Sequence, residues 1–285
     1  MLPGMVAVAA AATLLYAPLG AGLARQWYDD PASSHGVALA IAAAVVLWRR
    51  RAALRALPVA PANAGFALLA ASLILHMAGT FAGELFVLRV SALASLAACV
   101  LTLAGSAHLR LLAAPLVLLL LAIPLPATLV TSLTLPLQLF ASQMAAGLLG
   151  TAGITAIREG NLITLSTVTL EVADVCSGLR SIVSLVAMIA MAKTLIDMPV
   201  RQAATLAVAA VPIAIAGNTL RVAGTGILAH LFGAGAARGL VHDLTGYAAF
   251  FAMGAALLGI YLLMTRRERP SRAEGETCDS RALAW

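Results

Sequence analysis

Charged side chains are scarce in this 285-residue sequence, in which only 11% of the residues are Asp, Glu, Lys or Arg and 62% are hydrophobic. Soluble globular domains carry about 25% charged residues, so this chain has less than half the usual share. Nine of its thirty charges lie in the last twenty residues, which leaves the preceding 265 even poorer in charge. The composition excludes a disordered chain, a coiled coil and a disulfide-rich miniprotein, and it predicts a polytopic membrane protein.

Cysteines and metal-binding motifs are also few. Cys99, Cys176 and Cys278 lie far apart without C-x-x-C spacing, which argues against a zinc site or a disulfide framework. No H-E-x-x-H pattern is present, so this type of zinc protease is excluded. No metal or cofactor is expected. The formal net charge of +6 is interpreted as a signal of membrane orientation, not of nucleic-acid binding.

The apolar runs predict an all-α polytopic membrane protein with about eight transmembrane helices, since each crossing needs about 20 mostly apolar residues. The candidate spans are roughly 4–24, 34–48, 63–81, 87–107, 111–131, 177–197, 203–220 and 243–264. The first run follows no positively charged segment, so we expect a retained helix, not a cleaved signal. One transmembrane domain over residues 1–265 and a charged cytoplasmic tail over 266–285 are expected.

Basic residues predict the orientation, because they collect on the cytoplasmic side of membrane proteins. The clusters that we place inside are Arg49, Arg50, Arg51 and Arg55 in the loop after the second span, and Arg266, Arg267 and Arg269 in the tail. Eight crossings put both termini in the cytoplasm. The segments 25–35, 81–89, 132–176 and 221–242 then lie outside.

Two features of segment 132–176 differ from a plain membrane helix. Residues 132–150 are only weakly amphipathic and are interrupted by polar residues, which favours a re-entrant or interfacial helix. After them, Gly160 and Asn161 separate two stretches with strand character, the second rich in β-branched residues. This pattern predicts a small extracytoplasmic β-hairpin that leads to Cys176.

Cys176 is the candidate nucleophile, because it opens a predicted helix at the membrane boundary. Asp174 and Ser177 are possible N-caps of that helix, and Arg180 lies one turn further on. The positive helix end and a nearby arginine both favour a thiolate. A small buried packing residue is the alternative, and it is the expected role of Cys99.

Arg221 and His242 complete the candidate set. Arg221 is predicted at the outer end of the seventh span and His242 at the outer start of the eighth. A snorkelling arginine and a hydrogen-bonded interfacial histidine are the alternatives. A thiol nucleophile, an imidazole base and a guanidinium for the oxyanion on one membrane face form a set that can serve acyl transfer. His35 is a second histidine expected on that face.

The motifs around these residues resemble those of the exosortase/archaeosortase family of membrane transpeptidases. The nucleophile motif is Glu171-Val-Ala-Asp-Val-Cys176-Ser-Gly-Leu-Arg180, the arginine motif is Asn218-Thr-Leu-Arg221-Val, and the histidine motif is His242-Asp243-Leu-Thr-Gly246. Trp27 to Gly36 is similar to the first loop of the family, and Arg158-Glu-Gly-Asn161 to the stretch before the nucleophile.

The resemblance implies that Cys176 is the nucleophile, Arg221 the oxyanion or substrate-orienting group and His242 the general acid/base. Supporting roles are expected for Arg180, His35, Asn218, Arg158 and Asp243. The implied substrates are exported proteins with a C-terminal sorting signal, in which a short motif such as Pro-Glu-Pro precedes a membrane helix and a basic tail. A thioester acyl-enzyme would pass the new carboxyl terminus to an unidentified acceptor, and the implied location is the bacterial inner membrane, with a link to exopolysaccharide genes.

Two functions from other classes compete with this hypothesis. A small transporter or channel would explain a mid-membrane His76 and the prolines Pro115, Pro124 and Pro212, but no repeat relates the two halves of the chain. A non-catalytic membrane protein of polysaccharide assembly is compatible with the sequence. Rapid labelling of Cys176 by a thiol-reactive probe from outside would favour the enzyme over a transporter, and retained complementation by Cys176→Ala would support the assembly protein.

Overall fold

A computed structural model describes residues 2–166, 168–172, 177–233, 235 and 239–268, with side chains described from residue 15 to 266 except at 240–243. The described chain is mostly helical. Its helices are α1 (Leu2–Asp29), α2 (His35–Ala56), α3 (Ala64–Ala82), α4 (Leu85–Leu103), α5 (Ser106–Leu121), α6 (Ala127–Thr151), α7 (Leu179–Leu195), α8 (Val200–Phe232) and α9 (Leu240–Glu268). Its strands are β1 (Ala156–Glu159), β2 (Leu162–Leu165) and β3 (Thr169–Glu171).

Several apolar helices make this a polytopic membrane protein. Within the described residues, five helices are long and apolar enough to cross a bilayer, namely α3, α4, α6, α8 and the part of α9 from Leu244 to Arg266. Length and composition therefore do not support the predicted count of eight. By the same criteria α6, which was expected to be re-entrant or interfacial, is able to cross the bilayer. Its 25 residues have an apolar mean hydropathy despite the polar side chains between 132 and 150.

Three predicted boundaries are wrong. The expected span 111–131 is interrupted, because α5 ends at Leu121 and α6 begins only at Ala127, after Pro124 and Pro126. The arginine cluster expected in a loop lies on α2, which continues to Ala56 because arginine and alanine are strong helix formers. The outer segment predicted over 81–89 overlaps the predicted span 87–107, and α4 already begins at Leu85, so Arg89 lies within the helix and is only 7% exposed.

The chain forms two compact units, of which the first contains Met1–Val130 and Ala190–Asp197. In this unit α3 packs beside α4, and α2 beside α5. The connection between α3 and α4 is only two residues long, and it contains Gly83 in the left-handed conformation at φ 66°. Hydroxyl groups join helices inside the unit, since Ser95 Oγ lies 2.7 Å from Tyr16 Oη and 2.8 Å from Ser72 Oγ.

The second unit contains Thr131–Ile189 and Met198–Trp285 and carries the sheet. Strand β2 pairs antiparallel with both β1 and β3, and the turn at Gly160 and Asn161 joins β1 to β2. The inner side of the sheet packs on α6 and α8 through a core that includes Leu149, Ile163 and Val222. Since the sheet is fixed to α8 in this way, the chain leaves β3 next to that helix.

Candidate functional site

Arg221 lies in the interior of α8, a 33-residue helix that continues to Phe232. The sequence placed this arginine directly after a span that ends at residue 220, whereas the helix itself continues for eleven residues beyond Arg221. The residues after it are mostly small or apolar and include no proline, so nothing in the local sequence ends the helix. The side chain is half-buried, and Val222 and Ala223 beside it belong to the core beneath the sheet. The backbone of α8 therefore holds Arg221 at a fixed position.

The Arg221 guanidinium lies against the backbone of α9 at Gly246. A Cβ atom added to Gly246 would lie 3.3 Å from Arg221 Nη2 and 3.4 Å from its Cζ. Glycine is therefore the residue that allows this close approach. His242 precedes Gly246 by four residues on α9, so the two positions share one face of the helix. The backbone at His242 is described, whereas its side chain and that of Asp243 are outside the described set.

Asn218 lies one turn before Arg221 on the same face of α8, and it is only 3% exposed. A Cβ atom on Gly178 would lie 3.4 Å from Asn218 Cβ, so the backbone before α7 passes directly over this side chain. Gly178 has φ 85°, a left-handed conformation that glycine adopts without strain. Asn218 thus contacts the chain two residues after Cys176.

Cys176 itself lies outside the described residues, but the chain is fixed on both sides of it. Before it, Val172 is 1% exposed, and its N–H donates to Asn161 O at 2.9 Å. After it, Ser177 is 4% exposed, and its Oγ accepts a hydrogen bond from the Leu179 N–H at 3.3 Å. Ser177 therefore stabilises the start of α7, a role that the sequence assigned to it or to Asp174. Asp174 also lies outside the described residues.

The remaining predicted residues occupy separate positions. Arg180 is the second residue of α7 and is half-buried. Arg158 is exposed on β1, where its Nη1 donates to Gly160 O at 3.0 Å. His35 begins α2 in the first unit and has a buried Nδ1 that accepts and donates no hydrogen bond among the described residues. The second unit thus combines Arg221 and Asn218 with the backbone near His242 and Cys176.

Sequence reasoning did not identify the two glycines as contact surfaces. Gly178 and Gly246 were noted only as letters of motifs, and a sequence pattern does not show which side chain lies against a glycine. Among the residues whose side chains are described, no group of three or more His, Cys, Asp or Glu side chains could hold a metal ion.

These features define a polytopic membrane protein with an arginine-centred site between two of its helices. The model of the transmembrane exosortase family (Exosortase_EpsH) matches residues 27–259, and the chain belongs to this family. The family inferred from the motifs is thereby confirmed. No curated protein and no solved structure matches the chain.

Proposed function

We propose that the chain is a membrane cysteine transpeptidase that cleaves the C-terminal sorting signal of exported proteins. One observation carries this proposal beyond family membership. Two side chains one turn apart on α8, Asn218 and Arg221, contact Gly178 after the candidate nucleophile and Gly246 after the candidate base. Helix α8 therefore links the two motifs that supply the thiol and the imidazole.

In the proposed reaction, His242 takes the proton of the Cys176 thiol, and the thiolate attacks the carbonyl carbon of the scissile peptide. The carbonyl oxygen becomes an oxyanion, which Arg221 and backbone N–H groups at the start of α7 stabilise. Collapse of this intermediate breaks the C–N bond. His242 returns its proton to the leaving amine, and a thioester remains on Cys176.

The second half of the reaction releases the product. An acceptor amine, hydroxyl or water loses a proton to His242 and attacks the thioester carbonyl. The new bond forms as the bond to sulfur breaks, and the thiol is restored. An amine or hydroxyl gives transpeptidation, whereas water gives simple hydrolysis. The mass of the processed substrate distinguishes these outcomes.

The proposed substrate is an exported protein with a Pro-Glu-Pro-type motif, a membrane helix and a basic tail. A substrate helix in the same bilayer reaches the enzyme by lateral diffusion with its scissile bond already oriented. The acidic motif is compatible with the cations Arg158, Arg180 and Arg221. Arg158 is exposed and Arg180 half-buried, so both side chains reach the surface of the second unit.

Co-expression of a tagged candidate substrate with wild-type or Cys176→Ala enzyme tests the proposal. We expect the substrate to stay uncut with Cys176→Ala, while the variant accumulates in the membrane at the wild-type level. Cys99→Ala is the matched control, because Cys99 lies in α4 of the first unit. Normal processing by Cys176→Ala would exclude the cysteine mechanism. Full complementation of a deletion strain by Cys176→Ala would instead favour a non-catalytic role in polysaccharide assembly.

We further propose the bacterial inner membrane as the location, with both termini cytoplasmic and Cys176 on the extracytoplasmic face. Termini on one side require an even number of crossings, so at least one of the nine helices in the described part of the chain does not cross. We propose that this helix is α6, which is long and apolar enough to cross but is only weakly amphipathic and carries polar side chains between 132 and 150. A membrane-impermeant maleimide added to intact cells is expected to label the wild type and a Cys99→Ala, Cys278→Ala double variant. Labelling only after lysis would contradict this orientation.

A further inference from the structure

A cavity of about 220 Å³ opens within the first unit, between α1, α4 and α5. Most of its lining is aliphatic, and the leucines that form it are Leu19, Leu23, Leu93, Leu96 and Leu119. Arg89 also lines this cavity. An apolar cavity with a single buried cation is an unusual combination inside a membrane protein, because an unpaired charge is costly at this depth.

The hydrogen bonds of Arg89 leave most of its donors unused. Its Nη1 donates to Gln26 Oε1 at 2.7 Å, which is a neutral acceptor. Its Nε is buried and has no hydrogen-bond partner in the described part of the chain. A guanidinium carries five N–H donors, and a buried cation needs an anion or several acceptors to offset its desolvation. The site is therefore short of negative charge.

The position of Arg89 along its helix indicates at which depth of the membrane a negatively charged partner would lie. Arg89 lies in the second turn of α4, and its partner Gln26 lies in the last turn of α1. Next to Gln26, the Trp27 indole N–H donates to Ala122 O at 2.8 Å, in the segment that follows α5. Helix ends with a tryptophan are typical of the membrane–water interface, where phospholipid phosphates lie.

We propose that an anionic phospholipid occupies this cavity, with its phosphate at Arg89 and an acyl chain along the leucines. Phosphate oxygens pair well with guanidinium donors. The leucines match the chemistry of an acyl chain, and the volume suits a phosphate and the beginning of one chain. The remainder of the lipid stays in the bilayer. This site is independent of the cysteine mechanism, since all of its residues belong to the first unit.

Quenching of Trp27 fluorescence tests the proposal, because this indole lines the cavity. The chain has three tryptophans, so Trp48→Phe and Trp285→Phe leave Trp27 as the reporter. The full-length protein is titrated in mixed micelles with phosphatidylglycerol or phosphatidylcholine that carry the same brominated acyl chains. We expect half-maximal quenching at an about ten-fold lower mole fraction of phosphatidylglycerol.

Arg89→Gln is expected to abolish this preference by removing the cation. Arg25→Gln is the matched control, because Arg25 is an exposed arginine on α1 and its replacement changes the net charge equally. We expect Arg25→Gln to keep the preference. Equal quenching by the two lipids, or an unchanged preference in folded Arg89→Gln, would overturn the proposal.

A second pair of variants keeps Arg89 and decides the question if Arg89→Gln does not fold. Gly20 lines the cavity, and a Cβ atom there meets nothing within 4 Å, so Gly20→Leu is expected to fill the cavity and weaken quenching at least five-fold. Gly22→Leu also places its side chain in open space but away from the cavity lining, and it should behave as the wild type. Equal effects of the two variants would contradict a lipid in this cavity.

The headgroup is tested with brominated stearate, which offers a carboxylate and a single chain. We expect weaker quenching by stearate than by phosphatidylglycerol. An Arg89-dependent preference for stearate over phosphatidylglycerol would overturn the assignment to a phospholipid and identify a fatty-acid site.

Discussion

The two units each hold an arginine inside a helix, and the two surroundings differ. Arg89 in the first unit is 7% exposed and faces a cavity lined by leucines, with a neutral glutamine as its hydrogen-bond partner. Arg221 in the second unit is half-buried and lies against the backbone of a neighbouring helix at Gly246. The first arginine faces the cavity in which we propose a phospholipid, whereas the second lies beside the histidine motif.

This difference shows that a charge within an apolar helix does not define its role. The role depends on the groups around the guanidinium. In the second unit the group that matters is Gly246, because it has no side chain. A cavity around a cation leaves room for an anion of some size. A glycine without a side chain allows the guanidinium to lie directly against the helix backbone, and this contact restricts the orientation of the guanidinium. Variants in each unit test whether the two arginines differ in this way.

The largest expected effect is that of Arg221→Gln on substrate processing. Loss of one positioned oxyanion donor typically reduces turnover by about 100- to 1,000-fold, and we expect a loss in this range. The processing rate of a co-expressed tagged substrate measures it. Arg201→Gln on the same helix is the control, because Arg201 is exposed near the start of α8. Equal losses of processing in the two variants would mean that Arg221 acts only through its overall charge. The proposed difference between Arg221 and Arg89 would then be unsupported.

Gly246→Ala is expected to reduce processing about ten-fold, since a displacement of one catalytic group by a fraction of an ångström already slows a positioned reaction. The added methyl group would lie 3.3 Å from Arg221 Nη2, so the guanidinium must shift. Gly259→Ala on the same helix meets nothing within 4 Å and should process normally. Wild-type rates for Gly246→Ala would show that the position of the guanidinium is not critical.

Gly178→Ala combines backbone strain with a contact to Asn218. A left-handed residue other than glycine costs about 1–2 kcal/mol, which should lower the temperature of thermal unfolding. Gly153→Ala is a matched control, because Gly153 has φ 78° and open space around it. We expect both variants to be destabilised but only Gly178→Ala to process more slowly. Equal processing by both would mean that the Gly178–Asn218 contact serves folding alone.

The smallest effect is expected in the first unit for Ser72→Ala. Ser72 is 2% exposed, and its hydroxyl bonds to Ser95 Oγ and to Leu69 O. Hydrogen bonds between membrane helices contribute about 0.6 kcal/mol on average, so we expect a loss of stability of this size and an unchanged processing rate. Unfolding in denaturant measures the loss. A large fall in processing with normal stability would place this hydroxyl network in the catalytic function.

The sequence predicted the class of protein, the family and the helical nature of most segments. Composition was sufficient for the class, because few charged residues are compatible only with a chain surrounded by lipid. The turn at Gly160 and Asn161 was also visible, since this pair favours a tight reversal.

Helix boundaries and contacts were less predictable. The predicted seventh span stops at residue 220, because the charge of Arg221 is typical of the membrane surface, yet α8 continues to Phe232. The break between α5 and α6 was missed, because the leucines on both sides of Pro124 and Pro126 looked like one run. Buried Arg89 and the glycine surface at Gly246 depend on packing between distant segments, which no local pattern records.

The length of α8 has a consequence for the lipid around the protein. Arg201 and Arg221 are twenty residues apart on one helix, a rise of about 30 Å along its axis. The hydrocarbon layer of a typical bilayer has about the same thickness. In a thicker membrane the two guanidinium groups stay in contact with water only if the helix tilts less or the arginine side chains extend further towards the surface. The proposed enzyme would therefore sense acyl-chain length, and its rate would fall as the membrane thickens.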